Sequence, residues 1–147
     1  MTARLFEASG VTVRFGGLTA VNAVNFHVDK NEIVGLIGPN GAGKTTFSNA
    51  ISGFRFPDKG TVAFEGVNIL GLKPHKISRM GMSRTCQIVK PFPEMSVLDN
   101  VMMGAFSVHK AAKDARIAAM KALELVNFAR WAPRRAGDLP VAGRKRL

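Results

Sequence analysis

The run Gly38-Pro39-Asn40-Gly41-Ala42-Gly43-Lys44-Thr45 limits what this chain can fold into more than any other stretch of it. It places glycines, a lysine and a hydroxyl at the spacing G-x-x-x-x-G-K-[ST]. A backbone that curls this tightly needs residues without a Cβ, and Gly38, Gly41 and Gly43 provide them. The flanks agree with such a curl. Glu32-Ile33-Val34-Gly35-Leu36-Ile37 is a short apolar run of the kind that predicts a buried parallel strand. On the other side, Phe47, Ala50 and Ile51 recur at helical spacing between Thr45 and Ser52. A strand, a glycine loop and a helix in that order aim the partial positive charge of the helix N-terminus back into the loop.

A concave run of amide donors facing a helix N-terminus suits phosphate. Gly38, Pro39, Asn40, Gly41, Ala42, Gly43, Lys44, Thr45 and Thr46 are therefore the candidate nucleotide-binding residues. Lys44 adds a point charge able to reach the β- and γ-phosphates. The Thr45 hydroxyl is a ligand for Mg²⁺, which prefers oxygen. Thr46 offers a second hydroxyl on the phosphate side.

The 147 residues are enough for a domain with a real core. A hydrophobic content of 46% argues against disorder. Cys86 is the single cysteine, so no disulfide forms within the chain, which agrees with a reducing compartment. Residues 1–7 carry no long apolar core of a secretory signal. No window reaches the ~18 uninterrupted apolar residues of a spanning helix. The net charge of +11 invites a nucleic-acid reading. Most basic residues, however, are scattered between apolar segments, and only Arg130, Arg134, Arg135, Arg144, Lys145 and Arg146 cluster. A solvated surface accounts for this pattern, and no nucleic-acid partner is expected.

Along the chain, Leu5 to Phe15 and Val21 to Val28 read as strands, with alternation at Val11, Val13, Phe15 and at Val24, Phe26, Val28. Thr61 to Phe64 reads as a further strand, Pro74 to Met80 as a short helix with proline near its start, and Met82 to Val89 as a strand and its exit. Pro91-Phe92-Pro93 then breaks the pattern. Ser96 predicts an N-cap for a helix to Phe106, with Asp99 completing an approximate capping box. Ala111 to Val126 predicts a second helix whose apolar face is Ile117, Met120, Leu123 and Leu125. Strands dominate before residue 90 and helices after it, so two parts are expected: a core over 1–90 and a helical part over 91–147. His27, His75 and His109 stand at no metal-ligand spacing.

Several segments resemble, in order, one family: the ATP-binding subunits of ABC transporters, and among them the branched-chain amino acid uptake type. Phe15-Gly16-Gly17-Leu18-Thr19-Ala20-Val21 is similar to the region before that group's second strand. Arg84-Thr85-Cys86-Gln87, followed by Pro91-Phe92, is similar to its Q-loop. Leu139-Pro140-Val141-Ala142-Gly143-Arg144-Lys145-Arg146-Leu147 is similar to its signature region. The resemblance implies an α/β fold of the P-loop NTPase type, specifically an ABC nucleotide-binding domain with N-terminal antiparallel strands and a helical subdomain. It implies ATP and Mg²⁺ as cofactors. It implies a second ATP-binding subunit and transmembrane permeases as partners, and a peripheral position on the cytoplasmic face of the plasma membrane.

The same resemblance assigns roles. Phe15 stands where an aromatic residue stacks on adenine. Gln87 stands where a glutamine side chain reaches Mg²⁺ and the attacking water, which makes it the candidate catalytic and second metal-binding residue. Leu139, Pro140, Val141, Ala142 and Gly143 stand for the signature loop Leu-Ser-Gly-Gly-Gln, where Pro140 lacks the serine hydroxyl. Cys86 replaces a common phenylalanine and reads as a small buried filler. The family's apolar strand ending in Asp-Glu does not occur in these residues. The resemblance is therefore to an N-terminal portion, expected to bind nucleotide weakly and to hydrolyse it negligibly alone. The alternative from another class is a non-catalytic nucleotide-binding module.

Overall fold

The computed structural model describes residues 4–85 and 89–147. The chain divides into two compact units, Met1–Arg84 and Thr85–Leu147. The sequence puts its change of character a little later, at residue 90.

The first unit is built on two long strands, β1 (Arg4–Phe15) and β2 (Leu18–Asp29). They pair antiparallel from Arg4↔Asp29 to Phe15↔Leu18. β1 also pairs antiparallel with β3 (Lys59–Phe64), and β3 with the two-residue β4 (Val67–Asn68), which gives the order β2-β1-β3-β4. The core side of β1 changes parity along the strand. Phe6 and Ala8 point inward first, then Val11 and Val13. A register shift between Ala8 and Val11 accounts for this. Gly10 at φ 62° and Ala23 at φ 48° sit in this stretch. One extra residue in a strand moves every later side chain to the other face. Asn25 Oδ1 accepts from the Gly10 N–H at 2.8 Å, and Thr12 Oγ1 accepts from the Ala23 N–H at 3.0 Å, so the bulge leaves these donors satisfied.

Helix α1 (Lys44–Ile51) lays Phe47 and Ala50 on this sheet. The rings of Phe6, Phe26 and Phe47 meet edge to face, 6.3 Å and 5.6 Å between centroids. Such contacts add about 0.5–1.5 kcal/mol each to the area buried. Ile69, and Ile77 from α2 (Pro74–Arg79), close the core.

The buried strand expected over residues 32–37 does not form. Ile33 is 99% and Ile37 94% exposed, and Val34 and Leu36 are exposed as well. A parallel strand is buried only where neighbours take up both its edges. The sheet among the described residues is antiparallel throughout, and residues 32–37 pair with none of its strands. The expected strand Met82–Val89 is not seen either: residues 82–85 have no regular structure, and Cys86, Gln87 and Ile88 lie outside the described residues.

In the second unit, Ser96 caps α3 (Val97–Ala105). Its Oγ accepts from the Asp99 N–H at 3.0 Å and donates to Asp99 Oδ2 at 2.6 Å. The carboxylate thus takes the hydroxyl proton, in place of the reciprocal backbone bond of a full capping box. Asn100 holds Phe92 by a paired exchange, accepting from its N–H at 2.8 Å and donating to its carbonyl at 3.0 Å. Helix α4 (Ala112–Leu125) buries Ala115, Ala119 and Leu123. Its expected apolar face is therefore rotated: Leu123 is buried, while Ile117 is 47% and Leu125 85% exposed. Residues spaced by four lie on one side of a helix, and two alanines there let the neighbouring backbone approach closely. Val97, Leu98, Phe128, Ala132 and Leu139 complete this core. Short 3₁₀ turns at Ala129–Trp131 and Ala136–Asp138 lead to α5 (Val141–Arg146).

Candidate nucleotide site

The glycine loop enters α1 through Gly43, which is left-handed at φ 85°. A Cβ at this position would lie 2.2 Å from the Ala20 carbonyl oxygen. No side chain fits there, so the loop's end is seated directly on the backbone of β2. Gly41 is also left-handed, at φ 82°. The Ala42 N–H donates to the Pro39 carbonyl at 3.3 Å and closes the turn between them.

The helix begins with the Phe47 N–H donating to the Gly43 carbonyl at 2.8 Å. The amides of Lys44, Thr45 and Thr46 precede this bond and have no carbonyl four residues back within the helix. Gly43 supplies no side-chain cap, and the first turn holds no acidic residue. These donors face no competing carboxylate from their own turn, and a polyphosphate matches them in sign and number. The Lys44 ammonium stands at the same place, donating to the carbonyls of Gly38 at 2.6 Å and Pro39 at 2.7 Å. Thr45 is exposed and Thr46 half-buried. One exposed hydroxyl fits a Mg²⁺ ion that arrives on phosphate oxygens and keeps several waters. Among the described residues no cluster of three His, Cys, Asp or Glu forms a separate metal cage.

Phe15 ends β1, opposite Leu18. Leu18 begins β2, and the carbonyl of Ala20, two residues on, meets Gly43, so the ring and the loop share one end of the hairpin. The ring is 47% exposed. The Arg55 guanidinium lies over it, 4.0 Å from the centroid. Arg55 Nη2 donates to the Arg14 carbonyl at 2.6 Å, and Asp58 Oδ2 accepts from the Arg14 N–H at 2.7 Å. The segment after α1 thus grips both backbone polar groups of the residue that precedes Phe15. Sequence reasoning passes over Arg55 and Asp58. The sequence marks Pro57-Asp58-Lys59-Gly60 only as a turn, which does not reveal what the segment touches.

Gln87 lies outside the described residues. Arg84, at the edge of that stretch, is anchored to the end of α1: it donates to Asn49 Oδ1 at 2.6 Å and Ser52 Oγ at 3.1 Å. The signature-like residues belong to the second unit. Leu139 is buried, Pro140 is the N-cap of α5, and Val141 and Ala142 open its first turn. Gly143 is buried, and a Cβ there would come to 3.5 Å from the Phe128 ring. The stretch thus passes from Leu139 directly into a helix.

A family model described as ABC transporter matches residues 21–146. The chain is 40% identical, over its whole length, to the high-affinity branched-chain amino acid transport ATP-binding protein BraF of Pseudomonas aeruginosa. It is 38% identical, again over its whole length, to the corresponding protein LivG of Escherichia coli K12. It spans 64% of the length of each of these relatives. Among solved structures, the ADP conformation of an ATP-binding cassette of an ABC transporter superposes with a TM-score of 0.84 at 29% identity. That match covers 99% of this chain and 62% of the other. A dimeric ATP-binding cassette in a post-hydrolysis state shares the fold, with a TM-score of 0.81 at 21% identity, over 97% of this chain and 66% of that one. The seated glycine loop, the α/β cassette fold and the match over residues 21–146 together make this chain a member of the ABC transporter family.

Proposed function

We propose that this chain forms the nucleotide-binding part of an ATP-binding subunit that drives uptake of branched-chain amino acids. The observation that carries the reading is the set of donors at Lys44–Thr46, with the Lys44 ammonium beside them and Phe15 at the same hairpin end. The sequence likeness to two branched-chain amino acid transport proteins supplies the solute class.

In this reading the amides of Lys44, Thr45 and Thr46 bind the phosphates, and Lys44 exchanges the carbonyls of Gly38 and Pro39 for the β- and γ-phosphate oxygens. The ammonium is already held within the loop, so little ordering is left for binding to supply. Phe15 stacks on adenine. Mg²⁺ supplies charge neutralisation at the phosphates when bound. Thr45 holds it through its hydroxyl, and Gln87 adds a side-chain oxygen and senses nucleotide state. The amides of Val141 and Ala142, at the start of α5, face the nucleotide of a second subunit; Pro140 contributes no hydroxyl there. The partners are a second ATP-binding subunit and transmembrane permeases, with the protein on the cytoplasmic face of the membrane. Among the described residues no helix is long and apolar enough to cross a membrane.

The test is uptake in the organism that carries the gene. Lys44→Ala at the native locus is expected to lower uptake of labelled leucine, isoleucine and valine to the level of a gene deletion. Uptake unchanged by the substitution contradicts the proposal.

A further inference from the structure

We infer that Arg55 is a positioning residue for the nucleobase: it backs one face of the Phe15 ring so that the base stacks on the other. The inference rests on the nucleotide-binding reading above and adds to it a residue that neither the glycine loop nor Phe15 itself reveals.

Three observations converge. The guanidinium lies 4.0 Å from the ring centroid, in contact with one face. The ring is nonetheless 47% exposed, so surface remains for a planar ligand. Arg55 is also fixed independently of the ring. Its Nη2 bonds the Arg14 carbonyl, while Asp58 accepts from the Arg14 N–H and its own N–H donates to the Thr12 carbonyl at 2.8 Å. These bonds tie the segment after α1 to the end of β1 and hold guanidinium and ring in register. The arrangement has a cost: Arg55 Nε is buried without a hydrogen-bond partner. A buried donor left unpaired is uncommon and marks a site where another requirement overrides local satisfaction.

The physical consequence is a stack of guanidinium, phenyl and base. A cation on one face draws π density toward itself and makes the opposite face less negative. An electron-rich purine then meets less repulsion on that face. The clamp also fixes the ring before the base arrives, which reduces the ordering cost of binding. Both effects act on the base and neither acts on the phosphates. Arg55 should therefore govern the preference for ATP over inorganic tripolyphosphate, and leave tripolyphosphate affinity unchanged.

The experiment uses the full chain. Calorimetry gives the affinities for ATP and for tripolyphosphate in the wild type, Arg55→Met, Arg55→Lys and Phe15→Ala, with circular dichroism to confirm folding. Arg55→Met is expected to weaken ATP binding roughly three- to tenfold, the scale of one aromatic stack, with tripolyphosphate unaffected. Arg55→Lys keeps the charge but loses the plane, and should fall between. Should Arg55→Met not fold, the wild type alone decides by NMR. The Arg55 side-chain protons, shifted upfield by the ring, should keep that shift on addition of ATP. An unchanged ATP-to-tripolyphosphate ratio in folded Arg55→Met, or loss of the ring-current shift as ATP displaces the guanidinium, overturns the inference and leaves nucleotide binding intact. A wild type that binds neither ligand overturns the reading beneath it as well.

Discussion

At the scale of single residues, the site depends on backbone geometry that only glycine tolerates. Gly43 combines a left-handed φ of 85° with a 2.2 Å approach of its virtual Cβ to the Ala20 carbonyl. Gly43→Ala must push the loop off β2. We expect a loss of about 1–3 kcal/mol in urea unfolding, the usual cost of a strained backbone position, together with weaker nucleotide binding. Stability equal to wild type would mean that the loop is not seated on β2. This residue was legible in the sequence because its motif spacing is local. The Arg55–Phe15 contact was not, because the two residues lie far apart in the chain, which must fold before the contact exists, and no local pattern encodes it. Phe15 itself was found by resemblance. Its alternation with Val11 and Val13 suggests a core position, yet it is half exposed while those two are buried.

At the scale of elements, periodicity identified the helices and the hairpin but not always their faces. The parity change in β1 follows from a bulge at Gly10, and a lone glycine in a strand does not say whether it bulges. In α4 the larger apolar residues Ile117 and Leu125 drew the expected face, whereas the closer packing of Ala115 and Ala119 sets the real one. Ala119→Leu should accordingly destabilise by about 1–3 kcal/mol through overpacking, while Ile117→Lys should change stability by less than about 0.5 kcal/mol. Denaturant midpoints measure both, and the reverse ranking would return the core to the expected face. The Ser96 cap gives a second check: Ser96→Ala should cost about 0.5–2 kcal/mol. The segment 32–37 shows the opposite limit. Its apolar run states what the residues favour and not what lies beside them. With Ile33 and Ile37 exposed, the chain should self-associate through this segment. Sedimentation should show larger species that diminish in Ile33→Lys/Ile37→Lys; a monomer before and after the change would show that the segment is not sticky.

At the scale of the whole molecule, the residues of the proposed site are divided between two compact units. The glycine loop and Phe15 lie in the first, the signature-like residues in the second. The fold class was readable because the glycine loop and the segments around Phe15, Arg84–Gln87 and Leu139–Leu147 follow one another as they do in the family they resemble. The net charge of +11 is spread over both units, as a solvated surface would have it. Duplex DNA should then bind no more tightly than a general non-specific Kd of roughly 10⁻⁴–10⁻⁶ M at physiological salt. Anisotropy titrations at several salt concentrations check this, and tight, sequence-dependent binding would oppose it.

The proposed function requires that the loop beside Lys44 grip a triphosphate. Calorimetric titration of the folded chain with ATP, with and without Mg²⁺, measures this directly. Saturable binding is expected, weakened roughly ten- to hundredfold by Lys44→Ala, as the loss of a charge-assisted contact requires. Well-folded protein that takes up no ATP in either condition, or binds it equally after Lys44→Ala, would contradict the account.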